Sequence, residues 1–305
     1  MDQPNARSLH SRAVPRTGGL AIMLGGLAGA AVLVVLGTPW VPGIKLARPD
    51  WPQYYPVFVV LLVLAVVSFA DDRCHLRILW RLLMQLGVAV VLAYWLLSGV
   101  GLWELALAVL FLAWMTNLYN FMDGMDGLAG AMAVIGFATL AILAWRGDAY
   151  WAGLACSLVV MAVLGFLTQN LPPARLFMGD IGSISLGALA GFSLLWFHVE
   201  GLLSLSLGIL LFSPFIVDAS VTLLRRLFLG ERFWVAHRSH YYQRLVRSGW
   251  GHGRTLLAEV LLMLALAASV LWAAILPTAA QWLIIALWMA AYLVIMVWIE
   301  KRTDR

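Results

Sequence analysis

The chain has 305 residues, of which 63% are hydrophobic and only 11% are charged. Soluble domains are about 45–50% apolar and about 25% charged, so this much apolar surface does not fit inside one water-soluble core. The net charge of +5 does not indicate a nucleic-acid partner, because the sequence has no basic module large enough for such a footprint. Basic loops are instead what membrane topology requires.

Apolar runs long enough to cross a hydrocarbon layer recur along the whole chain. They are continuously apolar, as at 61–69 and 256–268, whereas the strands of a membrane barrel would alternate. We therefore predict an all-α, polytopic transmembrane bundle of about ten spans, which forms a single integral-membrane domain over 1–305. The approximate spans are 19–37, 54–70, 79–98, 102–117, 127–145, 150–168, 183–198, 201–218, 255–276 and 280–299.

The distribution of Lys and Arg predicts the orientation of the bundle. With the amino terminus in the cytosol, the far side receives only Lys45, Arg48 and Arg146 of the 20 basic residues. Ten spans then place the carboxyl terminus in the cytosol as well. Residues 219–254 are predicted to be a long basic cytosolic loop with a membrane-surface helix. Acidic residues collect at the cytosolic ends of spans two, four, six and eight, and this convergence is the first indication of a site.

The first acidic segment is the pair Asp71 and Asp72, at the end of the second span. Two carboxylates at a helix carboxyl end oppose the helix dipole, which favours cations there. A bound divalent ion or a nearby arginine would relieve this repulsion. The alternative is a pair of ordinary solvated acids, and the pair alone does not decide between them.

The second segment carries Asn117, Asn120, Asp123 and Asp126, spaced three residues apart. On a continuing helix these side chains would share one face. Oxygen donors on one face suit Mg²⁺ and a phosphate-bearing ligand. The alternative is a capped helix junction in which Asp126 is the N-cap of the fifth span.

The third segment, at 177–183, contains Asp180 between two glycines. Either Asp180 or Ser183 could cap the seventh span, which is the commonest reason for such a residue before an apolar run. The functional alternative is that Asp180 reaches a metal ion or a phosphate. The residues alone leave the two alternatives equal.

Two further segments are basic. His237, Arg238 and His240 offer imidazole and guanidinium groups that suit a pyrophosphate. A Zn²⁺ site is a poor alternative at this spacing without cysteines, whereas a basic amphipathic helix resting on lipid headgroups is compatible with ligand binding. The amino-terminal segment that contains Arg16 is by itself a basic flank with a turn.

Taken together and in this order, the segments resemble the polyprenyl-phosphate N-acetylhexosamine-1-phosphate transferases, glycosyltransferase family 4. The resemblance runs from about Arg7 to Trp250. The His-Arg-Ser-His-Tyr-Tyr-Gln-Arg-Leu segment and Val-Pro-Arg-Thr-Gly-Gly at 14–19 look most like the branch that primes lipid carriers for O-antigen. The cell-wall branch has adjacent histidines, which Arg238 and Ser239 interrupt here.

The resemblance implies an enzyme that transfers an N-acetylated (6-deoxy)hexosamine-1-phosphate from a UDP-sugar to undecaprenyl phosphate and releases UMP. It implies that Asp71 and Asp72 are catalytic and that one of them is the base. Mg²⁺, for which Mn²⁺ could substitute, would bind Asp180 and Asn120. The expected substrate-binding residues are Asn117, Asp123, Asp126, His237, Arg238, His240 and Arg16.

The expected partners are the UDP-sugar, undecaprenyl phosphate and membrane lipids, with a homodimer left open and no nucleic acid. The expected location is the bacterial inner membrane, with the site on its cytosolic face and a role in lipopolysaccharide or other cell-surface polysaccharide synthesis. One alternative is the phospho-N-acetylmuramoyl-pentapeptide transferase of peptidoglycan synthesis. Another class, an ion-coupled secondary transporter, would place its acids near mid-span, whereas these acids gather at one surface.

Overall fold

The structure, a computed structural model, describes residues 14–35, 59, 62–68, 78–231 and 237–303. All regular secondary structure in these ranges is helical, apart from an isolated β-bridge residue at Val14. The predicted all-α class is therefore confirmed. Asp71 and Asp72, and the neighbouring Arg73 and Arg77, lie outside the described residues.

The helices are α1 (Gly18–Val35), α2 (Ile78–Leu96), α3 (Leu102–Met122), α4 (Leu128–Arg146), α5 (Tyr150–Asn170), α6 (Gly179–Val199), α7 (Leu205–Leu211), α8 (Ser213–Phe228), α9 (Tyr241–Leu245), α10 (Gly251–Ala273) and α11 (Thr278–Thr303). From α2 to α8 the helices follow one another with short connections. A π-helical turn, Val246–Trp250, joins α9 to α10. Residues 62–68 are also helical.

Two helices form the centre of the bundle and the others surround them. The apolar windows of α4 and α6 are 72% and 83% buried, whereas that of α11 is only 11% buried. Large apolar side chains such as Leu283, Leu287 and Leu293 are exposed on α11, as expected for a helix that faces lipid. Helix α11 therefore lies at the rim of the bundle.

Seven helices in the described residues are long and apolar enough to cross a membrane, or eight if one bent pair counts as a single span. Helix α1 carries a shorter apolar stretch, Gly18–Val32, and the predicted span at 54–70 is described only in part. The chain is thus a polytopic membrane protein by length and composition, and the number of ten spans stays a prediction.

The bent pair replaces the straight span that the sequence predicts over 201–218. Helices α7 and α8 meet at an angle of 81°. The break falls at Phe212, which lies between α7 and α8, and Pro214 lies in the first turn of α8. Proline has no N–H for the preceding turn and is tolerated only at a helix start, so a new helix begins there. Helix α8 continues to Phe228, within the predicted 219–254 loop.

An aromatic cluster fixes the end of α3 that carries the second segment. Tyr119 packs edge-to-face on Phe215 of α8 with ring centroids 5.0 Å apart. The Tyr119 hydroxyl also donates a 2.7 Å hydrogen bond to the carbonyl oxygen of Ala129 in α4. This hydrogen bond joins the two helices that flank the α3–α4 loop. It therefore limits the movement of Asp123 and Asp126 in that loop.

Candidate functional site

The amino-terminal segment lies directly against the segment that carries Asp180. The Gly18 and Gly19 amides donate to the carbonyl oxygens of Phe177 and Met178 at 2.9 and 2.8 Å. The Phe177 amide donates to the Pro15 carbonyl oxygen at 2.8 Å. Two segments about 160 residues apart in the chain therefore form one unit, and Arg16 is carried to the start of α6.

This contact requires glycine at position 19. A Cβ atom there would lie 2.2 Å from the backbone nitrogen and 2.7 Å from the Cα of Gly182. Both atoms belong to the backbone of α6, so the helices would have to move apart. The spacing of glycines in these two segments is thus explained by a helix-to-helix contact.

We expect Gly19→Ala to destabilise the protein by about 1–3 kcal/mol, because overpacking at a backbone contact forces a shift. Gly26→Ala is the matched control on the same helix, since a Cβ at Gly26 meets no described atom within 4 Å. Thermal unfolding of the two purified variants measures the difference. Equal unfolding temperatures would contradict the close packing of α1 on α6.

The acidic centre forms where the carboxyl end of α3 meets the amino end of α6. Asp123 is the C-cap of α3 and Asp180 lies in the first turn of α6. The Ser183 hydroxyl donates to Asn120 Oδ1 at 2.9 Å, which joins the two helices. Arg81 of α2 pairs with Asp180, with 3.1 Å between Nη2 and Oδ2. Three helices thus contribute polar side chains to one place.

The charged groups of this centre influence the protonation of Asp123. Burial raises the pKa of the Asp123 carboxyl well above its ordinary value, the Asp180 carboxylate raises it further, and Arg16 opposes both. Two carboxylates that repel each other in a low-dielectric site favour a cation between them. The structure therefore brings Asn120, Asp123 and Asp180 together with Arg16, all of which are site residues predicted from the sequence.

Neither capping alternative describes Asp180 or Ser183. The N-cap of α6 is Met178, and no side chain makes a capping hydrogen bond there. Ser183 instead donates to Asn120 and, within its own helix, to the Gly179 carbonyl oxygen at 3.2 Å. Neither side chain therefore caps α6: Asp180 pairs with Arg81, and Ser183 bonds to Asn120 and Gly179.

The oxygen donors gathered here are of the kind that a hard divalent cation takes. Asn120 and the two carboxylates of Asp123 and Asp180 offer oxygen atoms, which Mg²⁺ prefers. In the ranges that the structure describes, no group of three or more His, Cys, Asp or Glu side chains is placed so that it could hold a metal ion by itself. Two carboxylates and an amide would leave further positions for water and for substrate phosphate, as is usual for Mg²⁺.

The four residues Asn117, Asn120, Asp123 and Asp126 do not form one continuous helical face. Helix α3 ends at Met122, so Asp126 lies beyond the helix and the predicted four-residue face is wrong. Asn117 is half-buried and its amide donates to the Ala113 carbonyl oxygen at 2.8 Å. The helix brings only Asn117 and Asn120 onto one face.

Asp126 is bound to other parts of the chain. Its Oδ2 accepts a 3.0 Å hydrogen bond from the Ala174 amide, and its Oδ1 lies 3.2 Å from His252 Nδ1. The N-cap of α4 is Gly127, which has a φ of 77° and no side-chain cap, so the N-cap interpretation of Asp126 is wrong. The Gly127 amide donates instead to Asn170 Oδ1 at 3.0 Å. Asp126 therefore ties the α3–α4 loop to the turn after α5.

The histidine segment is anchored by Asp218 of α8. This carboxylate, only 7% exposed, accepts the Tyr241 and Tyr242 amides at 3.0 and 3.1 Å. Its Oδ1 also lies 3.1 Å from His240 Nδ1. An acidic group at the amino end of α9 satisfies otherwise unpaired amides and complements the helix dipole.

The anchored histidines lie beside the end of α3. His240 stacks on Phe121 with ring centroids 6.5 Å apart, and His237 lies 4.9 Å from His240 by the same measure. The Tyr242 hydroxyl donates to the Phe121 carbonyl oxygen at 3.3 Å. The structure therefore places the histidine segment beside Phe121, at the end of α3 that carries Asn120 and Asp123.

The protonation of His237 follows from its surroundings. Burial, followed by the neighbouring His240 and Arg226, lowers the pKa of His237 to about 4, against the opposing effect of Asp218. His237 is thus a neutral imidazole near pH 7. Its Nδ1 lies 2.8 Å from the Ser239 hydroxyl. Positive charge in this segment comes from its arginines rather than from His237.

Three functional candidates were missed from the sequence: Arg81, Asp218 and His252. Arg81 lies inside a predicted span, and an ionisable residue within an apolar run was a usable signal. Asp218 lies at the end of the predicted span over 201–218 but belongs to no motif. His252 carried no sequence signal, since its contact with Asp126 joins residues 126 positions apart.

The fold and the site define a class: a polytopic α-helical membrane protein with oxygen donors, arginines and histidines gathered at one end of the bundle. The profile of glycosyl transferase family 4 matches residues 54–198. A protein of Bacillus subtilis (strain 168) is 31% identical over 287 residues, which cover 89% of this chain and 76% of the relative. The chain belongs to glycosyl transferase family 4.

Two kinds of transferase are among the relatives. The Bacillus subtilis protein is named a probable undecaprenyl-phosphate N-acetylglucosaminyl 1-phosphate transferase. A phospho-N-acetylmuramoyl-pentapeptide-transferase of Lactiplantibacillus plantarum is 31% identical over 266 residues, 77% of this chain and 76% of that protein. One of Shouchella clausii is 30% identical over 268 residues, 80% and 78% of the two chains. Both kinds transfer a sugar phosphate, as their names state.

Proposed function

We propose that this chain transfers an N-acetylated hexosamine-1-phosphate, or its 6-deoxy form, from a UDP-sugar to undecaprenyl phosphate. The products are undecaprenyl-diphospho-sugar and UMP, and the step begins the synthesis of O-antigen or another cell-surface polysaccharide. The observation that carries the proposal is the meeting of Asn120, Asp123 and Asp180 with Arg16 and Arg81 at one end of an apolar bundle. The name of the Bacillus subtilis relative supports the same acceptor lipid.

The reaction brings two anions together. An oxygen of the lipid phosphate attacks the sugar-bearing phosphorus, the bond from that phosphorus to the bridging oxygen breaks, and UMP leaves with the bond electrons. A bound Mg²⁺ would offset the negative charge of the pyrophosphate and of the leaving UMP. Mn²⁺ could take its place.

The chain's own residues have separate tasks in this proposal. Asp180, with Asn120 as a second donor, holds the cation, while Arg16 and Arg81 balance the acids around it. Asp71 or Asp72 accepts any residual proton of the lipid phosphate, whose second pKa is near 6. His237, Arg238 and His240 bind the diphosphate, and Asn117, Asp123 and Asp126 complete the donor pocket. Asp126 would act there indirectly, by holding the α3–α4 loop in place.

The topology is part of the proposal. We place ten spans in the bacterial inner membrane with both termini in the cytosol, so that the site faces the compartment that holds UDP-sugars. Residues 219–254 then belong to the cytosolic surface. A homodimer is compatible with the exposed apolar rim at α11.

Purified protein with undecaprenyl phosphate, Mg²⁺ and a panel of UDP-sugars should release UMP with at least one N-acetylhexosamine donor. EDTA should abolish this release and added Mg²⁺ should restore it. UDP-N-acetylmuramoyl-pentapeptide belongs in the panel, because turnover with that donor alone would favour the peptidoglycan enzyme. An absence of UMP with every donor, lipid and metal present, would refute the transferase proposal.

A further inference from the structure

The α3–α4 loop is bonded to the connection between α5 and α6 at two points. Asp126 Oδ2 accepts the Ala174 amide at 3.0 Å, and the Gly127 amide donates to Asn170 Oδ1 at 3.0 Å. Asn170 ends α5, and Ala174 lies between α5 and α6. Two connections that are far apart in the chain are thus held against each other.

The position of the loop on this connection affects the acidic centre. The loop begins at Asp123, the C-cap of α3. The connection ends at the start of α6, whose first turn carries Asp180. The distance between the two carboxylates therefore depends on how the loop and the connection are held together.

Helix α10 contacts the same two loop residues. His252 lies in its first turn, with Nδ1 at 3.2 Å from Asp126 Oδ1, and the two side chains are only 18% and 11% exposed. Leu256 follows one turn later on the same face of the helix. It packs against Gly127, where a Cβ atom would lie 2.8 Å from Leu256 Cδ2. Helix α10 thus adds a polar and an apolar contact to the loop.

The contact with His252 determines how the Asp126 carboxylate is oriented. Both of its oxygens have a partner, Oδ1 with His252 and Oδ2 with the Ala174 amide. The two oxygens of a carboxylate turn together, so a contact at Oδ1 fixes the direction of Oδ2. Side chains that orient a functional group in this way affect activity without touching the substrate.

We propose that His252 is a positioning residue of the donor pocket. It keeps Asp126 Oδ2 on the Ala174 amide, and it thereby sets the spacing between Asp123 and Asp180. Helix α10, which carries none of the site residues predicted from the sequence, contributes to the site through this contact. The role in the donor pocket rests on the proposed function, whereas the contact itself does not.

Three substitutions of His252 separate the Nδ1 contact from the bulk of the ring. His252→Asn places an amide nitrogen where Nδ1 lies, whereas His252→Gln places it where Nε2 lies. His252→Ala removes both positions. The matched control is His198→Ala, which removes an exposed imidazole from the last turn of α6, at the end of that helix away from Asp180.

Hydrogen–deuterium exchange of the detergent-purified full chain, without substrate, measures the contact. The amides of residues 124–128 and of Ala174 should exchange about tenfold faster in His252→Gln and His252→Ala, because a polar contact to a carboxylate is lost. His252→Asn and His198→Ala should exchange as the unchanged protein does. The amides of 183–198 should keep their exchange rates in the three His252 variants, which shows that these variants are folded.

UMP release by the same variants tests the role in the donor pocket. The kcat/KM for the UDP-sugar should fall about 10- to 100-fold in His252→Gln and stay close to that of the unchanged protein in His252→Asn. Faster exchange with unchanged UMP release would overturn the role in the pocket.

The exchange results decide the contact separately. Equally fast exchange in all three His252 variants would overturn the Nδ1 assignment, and unchanged exchange in all three would overturn the inference as a whole. If the unchanged protein releases no UMP, the transfer proposal and the pocket role that rests on it both fail, while the exchange results still support or overturn the contact between His252 and Asp126.

Discussion

Asp180→Asn should lower the rate of UMP release by about two to three orders of magnitude, the usual cost of one charged group lost from a preorganised site. The substitution keeps the size of the side chain and removes the charge at the point where α3, α6 and Arg81 meet. Steady-state kinetics at several Mg²⁺ concentrations measures the loss. The variant should also need more Mg²⁺ for half-maximal activity, because one anionic oxygen donor is gone.

The matched control is Asp148→Asn. Asp148 has a φ of 56°, which asparagine tolerates, and it lies between α4 and α5 at the end of the bundle away from Asp180. We expect its activity to stay close to that of the unchanged protein. Normal activity of Asp180→Asn at ordinary Mg²⁺ would remove Asp180 from the proposed metal site.

Asp218→Ala should have the largest effect on stability, a loss of about 3–5 kcal/mol in the free energy of unfolding. The substitution leaves the Tyr241 and Tyr242 amides and His240 Nδ1 without their acceptor in a buried position, and each such donor costs about 1–3 kcal/mol. Denaturant-induced unfolding of the purified protein measures this. UMP release should fall as well, because the histidine segment loses its anchor.

Two further variants separate anchoring from charge alone. Asp218→Asn keeps one oxygen acceptor and should lie between the alanine variant and the unchanged protein in both measurements. Glu300→Gln changes an acid that also contacts the histidine segment but is 37% exposed, so it should cost less than about 1 kcal/mol. If Asp218→Ala unfolds at the same denaturant concentration as Glu300→Gln, the anchoring role of Asp218 is wrong.

The bundle architecture was predictable because a membrane span requires an apolar run of a minimum length, and such runs can be read directly from the sequence. Continuous apolar runs over 127–145 and 150–168 predict helices that the structure places at Leu128–Arg146 and Tyr150–Asn170. The same rule failed at 201–218, because hydropathy gives the length of an apolar run but does not show whether the chain bends within it. The 81° bend between α7 and α8 depends on Pro214 and on the packing of Phe212 and Phe215 in the core.

The candidate site was predictable to a lesser extent. The grouping of Asn120, Asp123 and Asp180 follows from topology, because helices that alternate in direction bring every second connection to the same end of the bundle. The end of α3 at Met122 did not follow from spacing, and it separates Asp126 from the other acids. The roles of Asp71 and Asp72 stay predictions, since both residues lie outside the described ranges.

By itself, the sequence determined that this protein is an all-helical membrane protein, because continuous apolar runs of this length form membrane helices. Its motifs also identified the family. Only the tertiary structure decided which of its acids and bases touch. The Arg81–Asp180 pair, the contact between His252 and Asp126, and the anchoring of His240 by Asp218 join residues 99, 126 and 22 positions apart. Contacts over such separations depend on helix packing, which no local pattern of residues encodes.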